Sequence, residues 1–391
     1  RGLEMKNRIM SEISGRMPEL ADISKYLYEN PELGDKEYKA VKLLADYFRK
    51  NGFTVEEAIY GLDTTFRAVY DSHKKGGHIA LFCEYDALPQ IGHGCGHNLI
   101  SSMSAGAAMG LAAVLNETGG KISVFGTQAE ETSGVKGVLA EKGAYDGVTA
   151  AMMAHPNAVS EESGSTLALN AVKFEYFGKA AHAAAVPEKG INALDGVILL
   201  YNGLDALRQH LKSDVRIHGI ISNGGAAPNV VPDYAEAKFY FRAKEKEYLE
   251  TVVAKAKECA EGAAKMTGAT VKITYFELSY DNMKTNSALS DLFSANLREL
   301  GETEINPPSD GVGSIDLGNV SHVVPAIHPW IGVGDPSLVI HSKEFADHTM
   351  TEAGKTTLYR GACALALTAW DVLTSKENQE KIKAEFASAS R

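Results

Sequence analysis

The stretch 83–101, CEYDALPQIGHGCGHNLIS, concentrates carboxylates, imidazoles and a thiol in a loop between an apolar run and a predicted helix. Within it, Cys95 and His97 stand one residue apart at the start of that helix. A thiolate and an imidazole placed in this way can bind one metal ion. Taken alone, the stretch also fits a glycine-rich turn with a buried cysteine and a solvated histidine.

Two further apolar runs also end in ionisable side chains. The run 122–126 leads into Glu130 and Glu131, and the run 148–154 ends at His155. Short unbroken apolar runs are typical of buried parallel strands. In open α/β sheets, ligands bind at the carboxyl ends of such strands. We therefore predict that the ionisable groups of all three runs share one site.

The predicted site combines sulfur, nitrogen and oxygen donors, which is typical of an open hydrolytic metal site rather than a closed structural one. A thiolate can bridge two ions, and ions about 3.5–4 Å apart polarise a carbonyl and generate hydroxide together. His341 follows the apolar run 338–340 and is the candidate ligand of a second ion, with an ordinary loop histidine as the alternative. The candidate ligands are Cys95, His97, Glu131, His155 and His341.

Glu130 and Glu131 are adjacent, so in an extended chain their side chains point to opposite sides. One can bind metal while the other acts as the general base, which takes a proton from water and hands it to the leaving amine. Asp86 follows the first apolar run closely enough to orient a ligand imidazole. The alternative role for Asp86 is to cap a turn or a helix.

The composition limits the class of protein and its partners. A length of 391 residues exceeds what one hydrophobic core usually organises, which favours two domains. The net charge of −11 and the lack of lysine or arginine runs argue against a nucleic-acid partner. The sequence shows no apolar segment of membrane-spanning length and no secretory signal, so no membrane partner is expected. Four scattered cysteines do not indicate disulfides, and we expect a cytoplasmic location.

Predicted strands and helices alternate up to about residue 155. This order indicates an α/β fold with a mixed, mainly parallel sheet sandwiched by helices. From residue 165 the order becomes β-α-β-β-α-β, the split ferredoxin-like α+β module. Because that module can fold by itself, we predict that residues 166–284 form an inserted lid or dimerisation domain. Residues 1–165 and 285–391 then form the catalytic, metal-binding domain.

Several short motifs follow one another along nearly the whole chain. They are NPELG at 30–34, EYDALP, GHGCGHN, QAEE, MAHP and the dipeptide His341-Ser342. In this order and spacing, the chain resembles the co-catalytic metallo-amidohydrolase family, which includes aminoacylases, glutamate carboxypeptidases and hippurate hydrolases. Within that family it resembles the cysteine-ligand branch of aminobenzoyl-glutamate hydrolases and related dipeptidase-like proteins. The resemblance implies a zinc-peptidase-like catalytic domain.

The resemblance also implies a role for each matching residue of the catalytic domain. Cys95 corresponds to a ligand that bridges two divalent ions, and Glu130 corresponds to the general base. Asp86 keeps the supporting catalytic role that is predicted above from its position after the first apolar run. The remaining implied metal ligands are His97, Glu131, His155 and His341. The ligand set suits manganese or zinc, and cobalt and nickel are also compatible with it.

Other implied roles fall on the inserted domain and on the stretch near residue 313. His182, in GKAAHA at 178–183, corresponds to a histidine that stabilises the oxyanion in the neighbouring subunit, which implies a homodimer or a higher homo-oligomer. Arg242 corresponds to an arginine that binds the substrate α-carboxylate, since a guanidinium pairs bidentately with that group. The residues implied to bind substrate are Asn229, Arg242, Gly313 and Ser314.

Three positions depart from the family pattern. Glu84 stands where many branches carry a histidine ligand, so Cys95 and His97 must compensate for that ligand, as the cysteine-ligand branch allows. Asn98 stands where hippurate-cleaving members carry aspartate, which argues against hippurate as the substrate. Ile315 replaces a residue that is usually polar, near the implied contacts to the substrate carboxylate.

We therefore expect a metal-dependent amidohydrolase that cleaves the amide bond of an N-acyl or N-aminoacyl amino acid, such as aminobenzoyl-glutamate or a dipeptide. In this interpretation, Glu130 assists attack by a metal-activated hydroxide, and His182 stabilises the oxyanion. One alternative is a strict dipeptidase or carboxypeptidase. An alternative from another class is a metal- or peptide-binding protein without catalysis.

Overall fold

The computed structural model describes residues 1–311 and 313–389 and divides into two compact units. The first unit comprises Arg1–Ser165, Met283–Gly311 and the chain from Ile315 onward. The second unit comprises Thr166–Asn282 and a short later piece that includes Ser314. The main part of the second unit thus ends two residues before the predicted boundary at residue 284.

Short strands and longer helices alternate through most of the described chain. The strands are β1 (Thr54–Glu57), β2 (Phe66–Asp71), β3 (His78–Glu84), β4 (Lys121–Thr127), β5 (Ala150–Met152), β6 (His155–Asn157), β7 (Ser160–Glu161), β8 (Ala168–Phe177), β9 (Arg216–Asn223), β10 (Tyr234–Ala243), β11 (Thr270–Tyr275), β12 (Ile305–Asn306), β13 (Ala326–Ile327) and β14 (Trp330–Gly332). The helices are α1 (Gly2–Gly15), α2 (Met17–Glu29), α3 (Tyr38–Lys50), α4 (His97–Thr118), α5 (Lys136–Glu141), α6 (Ala193–Arg208), α7 (Lys246–Thr267), α8 (Ser287–Glu299), α9 (Leu317–Ser321), α10 (Lys343–His348), α11 (Glu352–Thr374) and α12 (Lys376–Ala389).

A six-stranded sheet in the order β1-β2-β4-β3-β5-β13 forms the centre of the first unit. Strand β3 runs parallel to both β4 and β5, and β13 runs parallel to β5. Strands β1 and β2 extend one edge in the antiparallel direction. A second, four-stranded sheet in the order β12-β7-β14-β6 belongs to the same unit. The predicted mixed, mainly parallel α/β fold is confirmed.

The strand predicted at 148–154 is divided in the structure. Strand β5 covers only Ala150–Met152, and His155 opens β6, which pairs with β14 in the second sheet. The apolar run therefore passes from one sheet to the other. The hydrophobic pattern of the sequence does not show where this change of sheet occurs. His155 lies at this crossing rather than simply beyond the end of a strand.

Helix α4 is buried on nearly all sides, which explains its small and apolar residues. A Cβ atom at Gly106 would lie 2.8 Å from Cδ1 of Leu20, so the absence of a side chain there favours the close approach of α2. Among the described residues, α4 is also the one helix long and apolar enough to cross a membrane by length and composition. In the structure, 89% of that apolar stretch is buried.

Gly126, near the end of β4, lies against the buried ring of Phe66 on β2, and a Cβ atom there would overlap that ring. We expect Gly126→Val to lower the free energy of unfolding by about 1–3 kcal/mol, because overpacking forces neighbouring side chains out of their rotamers. Thermal or urea unfolding measures the change. Gly15→Ala is the matched control, since no heavy atom lies within 4 Å of a Cβ at that position. Equal losses in both variants would contradict the packing argument.

The second unit is a four-stranded antiparallel sheet in the order β11-β8-β10-β9, packed against α6 and α7. Its chain order, β8-α6-β9-β10-α7-β11, is the predicted ferredoxin-like order. Buried and half-buried residues alternate along β10, as expected for a strand with one face against helices. Strand β9 lies at one edge of the sheet and exposes Ile220 and Ile221.

Candidate metal centre and active site

Four segments of the first unit carry the residues that could bind metal: the loop from β3 to α4, the loop after β4, the start of β6 and the loop before α10. Cys95 lies on the first loop, and His97 is the first residue of α4. Gly96 has a φ of 73°, and a Cβ there would lie 2.5 Å from Cγ of Pro156. Only glycine lets this loop approach the strand that carries His155 so closely.

Asp86 orients the buried ring of His97. The Nδ1 atom of His97 lies 2.8 Å from the backbone oxygen of Asp86 and 3.1 Å from its Oδ1, so we assign the proton of the neutral ring to Nδ1. The Nε2 atom then faces three carboxylates, at 3.3 Å from Glu84, 3.5 Å from Glu131 and 3.8 Å from Glu130. Asp86 also accepts the backbone N–H of Glu131 at 2.9 Å, which ties the two loops together.

Cys95 belongs to two groups of potential metal ligands. The groups are Cys95, His97 and His155, and Cys95, Glu131 and His341, each with all its donor atoms within 4.8 Å of one another. The sulfur of Cys95 lies 3.4 Å from Nε2 of His155. Because Nδ1 of His155 lies 2.7 Å from the backbone oxygen of Pro156, Nε2 is the nitrogen that faces the site. A thiol shared by two groups is suited to bridge two ions.

His341 approaches Glu131 from a strained loop. Its Nε2 atom lies 3.4 Å from Oε1 of Glu131, and its side chain is 49% exposed. The φ of His341 is 64°, a conformation that residues other than glycine rarely adopt. The backbone N–H of His341 donates to the oxygen of Gly94 at 2.7 Å, which holds this loop against the one that carries Cys95. Such strain is frequent at functional sites.

A segment near residue 37 shapes the turn that carries Glu130. Ala129 has a φ of 54°, and its N–H donates to Oε1 of Glu37 at 2.8 Å. The hydroxyl of Thr64 donates to Oε2 of the same carboxylate at 2.6 Å. Glu37 thus fixes the backbone directly before Glu130, a role that its place in the sequence did not suggest.

Glu130 and Glu131 have opposite electrostatic environments although they are adjacent. Burial and the nearby carboxylates of Glu84 and Glu131 raise the pKa of Glu130 well above its ordinary value. Burial also raises the pKa of Glu131, but the contacts with His341 and His97 outweigh it and lower that pKa to about 2. Glu131 is therefore suited to bind a cation, and Glu130 is suited to accept and release a proton.

Several buried polar atoms of this centre have no hydrogen-bond partner among the described residues. Three of them face one another: Oε2 of Glu84, Nε2 of His97 and Oε1 of Glu131. Buried acceptors without partners are costly and need an explanation. A divalent cation supplies one, because thiolate, imidazole and carboxylate donors suit first-row transition metals. The residues present therefore fit a metal site.

The predicted substrate residues of the second unit form two small groups. The guanidinium of Arg242 donates to Oγ of Ser314 at 3.2 Å, next to Gly313 in the chain. His182 and Asn229 are exposed on adjacent loops, where the backbone oxygen of Asn229 accepts the N–H of the residue after His182 at 3.0 Å. The roles of these residues stay predictions.

The sequence reasoning did not single out a buried ionic triad beside the metal centre. The Nζ atom of Lys136 lies 2.7 Å from Oε1 of Glu84 and 2.9 Å from Oδ1 of Asp316. All three side chains are 2% exposed or less. The partners of Lys136 are 52 and 180 positions away in the chain, so no local pattern marks the triad.

His328 was also missed, although the rule applied to the other strands predicts it. It directly follows β13, at the end of an apolar run, and β13 runs parallel to β5. Its ring centroid lies 5.5 Å from that of His155 and 4.8 Å from that of Trp330. The ring is buried, and Nδ1 has no hydrogen-bond partner among the described residues.

An α/β unit whose strand ends gather thiol, imidazole and carboxylate donors fits the class of metal-dependent hydrolases. The family model for the M20 peptidase dimerisation domain matches residues 168–267. The chain is 37% identical to the Xaa-Arg dipeptidase of Mus musculus, over 98% of this chain and 92% of that protein. It is 32% identical to a p-aminobenzoyl-glutamate hydrolase component of Escherichia coli K12, over 73% of this chain and 63% of that protein. The chain belongs to the M20 peptidase family, which confirms the resemblance.

Solved structures of related proteins share the fold. The aminobenzoyl-glutamate utilization protein of Klebsiella pneumoniae is similar with a TM-score of 0.70, at 18% identity over 91% of this chain and 96% of that chain. A dinuclear metal binding peptidase of the M20 family from Bacillus subtilis is similar with a TM-score of 0.67, at 19% identity over 92% of this chain and 100% of that chain. At these identities the likeness is one of fold.

Proposed function

We propose that this protein is a dipeptidase that hydrolyses dipeptides with a basic carboxyl-terminal residue at a centre of two divalent ions. The observation that carries the proposal is Cys95, shared by two groups of metal donors, with Glu130 beside them. The relative matched over nearly the full length bears the name Xaa-Arg dipeptidase, which favours this substrate. The net charge of −11 also favours the approach of a cationic substrate.

The proposed holders of the ions are Cys95 with His97 and His155 on one side, and Cys95 with Glu131 and His341 on the other. When bound, such ions polarise the scissile carbonyl and lower the pKa of water. Asp86 supports both sides, because it orients His97 through Nδ1 and accepts the backbone N–H of Glu131. Support of this kind raises metal affinity by fixing the ligands in place.

Glu130 is the proposed general base. It takes a proton from the attacking water and delivers it to the leaving amine. The turn at Ala129, fastened by Glu37, presents this carboxyl group 3.8 Å from Nε2 of His97. We also propose that His182 stabilises the oxyanion and that Arg242 binds the substrate α-carboxylate, as the family resemblance implies.

A competition assay tests the proposed substrate. Protein loaded with manganese or zinc would be incubated with dipeptides that end in arginine or lysine, dipeptides that end in glutamate, N-acetyl amino acids and aminobenzoyl-glutamate. Mass spectrometry follows each substrate, and Glu130→Gln protein is the blank. We expect basic dipeptides to be cleaved at least about tenfold faster than the rest. Faster cleavage of aminobenzoyl-glutamate would replace this proposal by the second candidate, which the relative from Escherichia coli favours.

We propose manganese or zinc as the resident metal, and cobalt or nickel would also suit the ligand set. Elemental analysis of protein purified without added metal measures which ion is present. The thiol of Cys95 must stay reduced to bind metal, and all four cysteines of the chain are free. These free thiols support the proposed cytoplasmic location, since that compartment is reducing.

We propose that two copies of the chain pair through the edge strand β9. Among the described residues this strand pairs with another strand on one side only, and it exposes Ile220 by 62% and Ile221 by 45%. We expect Ile220→Lys to convert a dimer into a monomer, because it places charges along the paired edge. Size-exclusion chromatography with light scattering measures the mass. Met266→Lys, at a residue 73% exposed on α7, is the control that should stay dimeric. A dimeric Ile220→Lys protein would contradict the assignment of β9.

A further inference from the structure

We propose that Glu84 is a further oxygen donor of the metal centre, bound to the ion that His97 holds, and that Lys136 fixes its carboxylate in place. The inference rests on the proposed metal centre and adds a donor to it.

The two oxygens of the Glu84 carboxylate face different residues, Lys136 and His97. Glu84 ends β3, and its side chain is 2% exposed. Its Oε1 atom lies 2.7 Å from Nζ of Lys136, which fixes the rotation of the group. The Oε2 atom therefore faces Nε2 of His97 at 3.3 Å, and neither of these two atoms has a hydrogen-bond partner in the described part of the chain. The donor atoms of Glu84, His97 and Glu130 all lie within 4.8 Å of one another.

A direct ion pair with a protonated His97 is the competing explanation. The Nδ1 atom of His97 already faces Asp86 at 3.1 Å, so only the single proton of Nε2 remains for the other side. That side presents carboxylates of Glu84, Glu131 and Glu130 within 3.8 Å. One N–H group can donate to one or two of these acceptors, whereas a divalent cation binds several at once. The convergence of donors therefore favours a cation.

Lys136 is the positioning residue of this arrangement. Its ammonium group is fully buried and lies 2.9 Å from Asp316, so it pairs with two carboxylates that come from distant parts of the chain. Lys136 also follows the turn that carries Glu131 by five positions. Lys136, which holds Glu84, and the turn that carries the candidate ligand Glu131 thus belong to one short segment. A shift of this segment would move both Glu84 and Glu131.

Metal binding without turnover tests the inference. Wild-type protein, Glu84→Gln and Glu130→Gln would be stripped of metal and titrated with cobalt(II), and visible absorption and bound metal would be recorded. We expect Glu84→Gln to weaken one of two sites by at least about tenfold and to alter the cobalt absorption bands. Glu130→Gln is the matched control, because its carboxylate is also near His97 but is assigned to proton transfer. We expect its affinity to stay within about threefold of wild type.

Three further results are decisive. The triple variant Glu84→Gln, Lys136→Met and Asp316→Asn removes all three buried charges together. It tests the donor role even if Glu84→Gln alone does not fold, and it should show the same loss of affinity. Wild-type affinity with unchanged cobalt bands in both Glu84 variants would overturn the assignment of Glu84 while leaving the proposed metal centre intact. A wild-type protein that binds no cobalt would overturn the proposed centre and the assignment together.

Discussion

Glu130→Gln should lower kcat by about 10²- to 10⁴-fold, the usual contribution of a positioned acid–base group. Glutamine keeps the size of the side chain but does not accept a proton from water. The backbone turn should be unchanged, because Glu37 fastens it through the N–H of Ala129 rather than through Glu130 itself. Steady-state kinetics on the best dipeptide, together with elemental analysis, measures the effect.

The adjacent residue provides the contrast for this experiment. Glu131→Gln should also lose activity, but through loss of bound metal, because Glu131 lies within reach of both Cys95 and His341. Glu130→Gln should retain its metal. Loss of metal in both variants, or full activity in Glu130→Gln, would contradict the division of roles between these two neighbours.

Lys136→Met should destabilise the first unit by about 3–5 kcal/mol, the usual cost of leaving a buried charge without its partner. Two carboxylates, those of Glu84 and Asp316, would lose their shared cation in a fully buried place. Chemical denaturation followed by tryptophan fluorescence measures the change. The triple variant Lys136→Met, Glu84→Gln and Asp316→Asn should recover most of the loss, because it removes the charges together. If the triple variant does not recover stability, the loss in Lys136→Met comes from altered packing and not from unpaired charge.

The destabilisation by Lys136→Met should also depend on pH. Burial raises the pKa of Asp316 to about 6, against the opposing pull of Lys136. Since this folded-state pKa lies above the ordinary value, the folded protein binds the proton more tightly, and the stability from this group is lost as the pH rises through about 6. In Lys136→Met the ionised form of Asp316 is even less favourable than in the wild type, because the neighbouring positive charge is gone. The difference between variant and wild type should therefore be smaller at about pH 5 than at about pH 8.

The location of the candidate site could be predicted from the sequence because topology brings the ends of parallel strands together. Apolar runs that end in acids or imidazoles marked β3 and β4, and the ferredoxin-like order marked the second unit. The same rule, applied once more, would have found His328 after β13. The pattern identified His155 as a site residue but did not predict that it begins β6 in the second sheet, since the chain changes sheets within one apolar run.

Other features of the site depend on contacts that no local pattern records. Lys136 stands in an apolar context and would ordinarily be placed at the surface, but two distant carboxylates hold it in the interior. The left-handed backbone of His341 and of Ala129 is likewise imposed by neighbouring segments and not by residue type. These are the places where tertiary contacts override local preference.

Asp86 couples the positions of two candidate metal ligands, His97 and Glu131. Its backbone oxygen holds the ring of His97, and its Oδ2 atom holds the backbone of Glu131, although the two residues belong to different segments. The spacing between them is therefore set by the dimensions of one residue rather than by the sum of two loop conformations. A displacement of either segment therefore also moves the other. If His97 is misplaced, Glu131 cannot shift independently to restore the geometry of the metal centre.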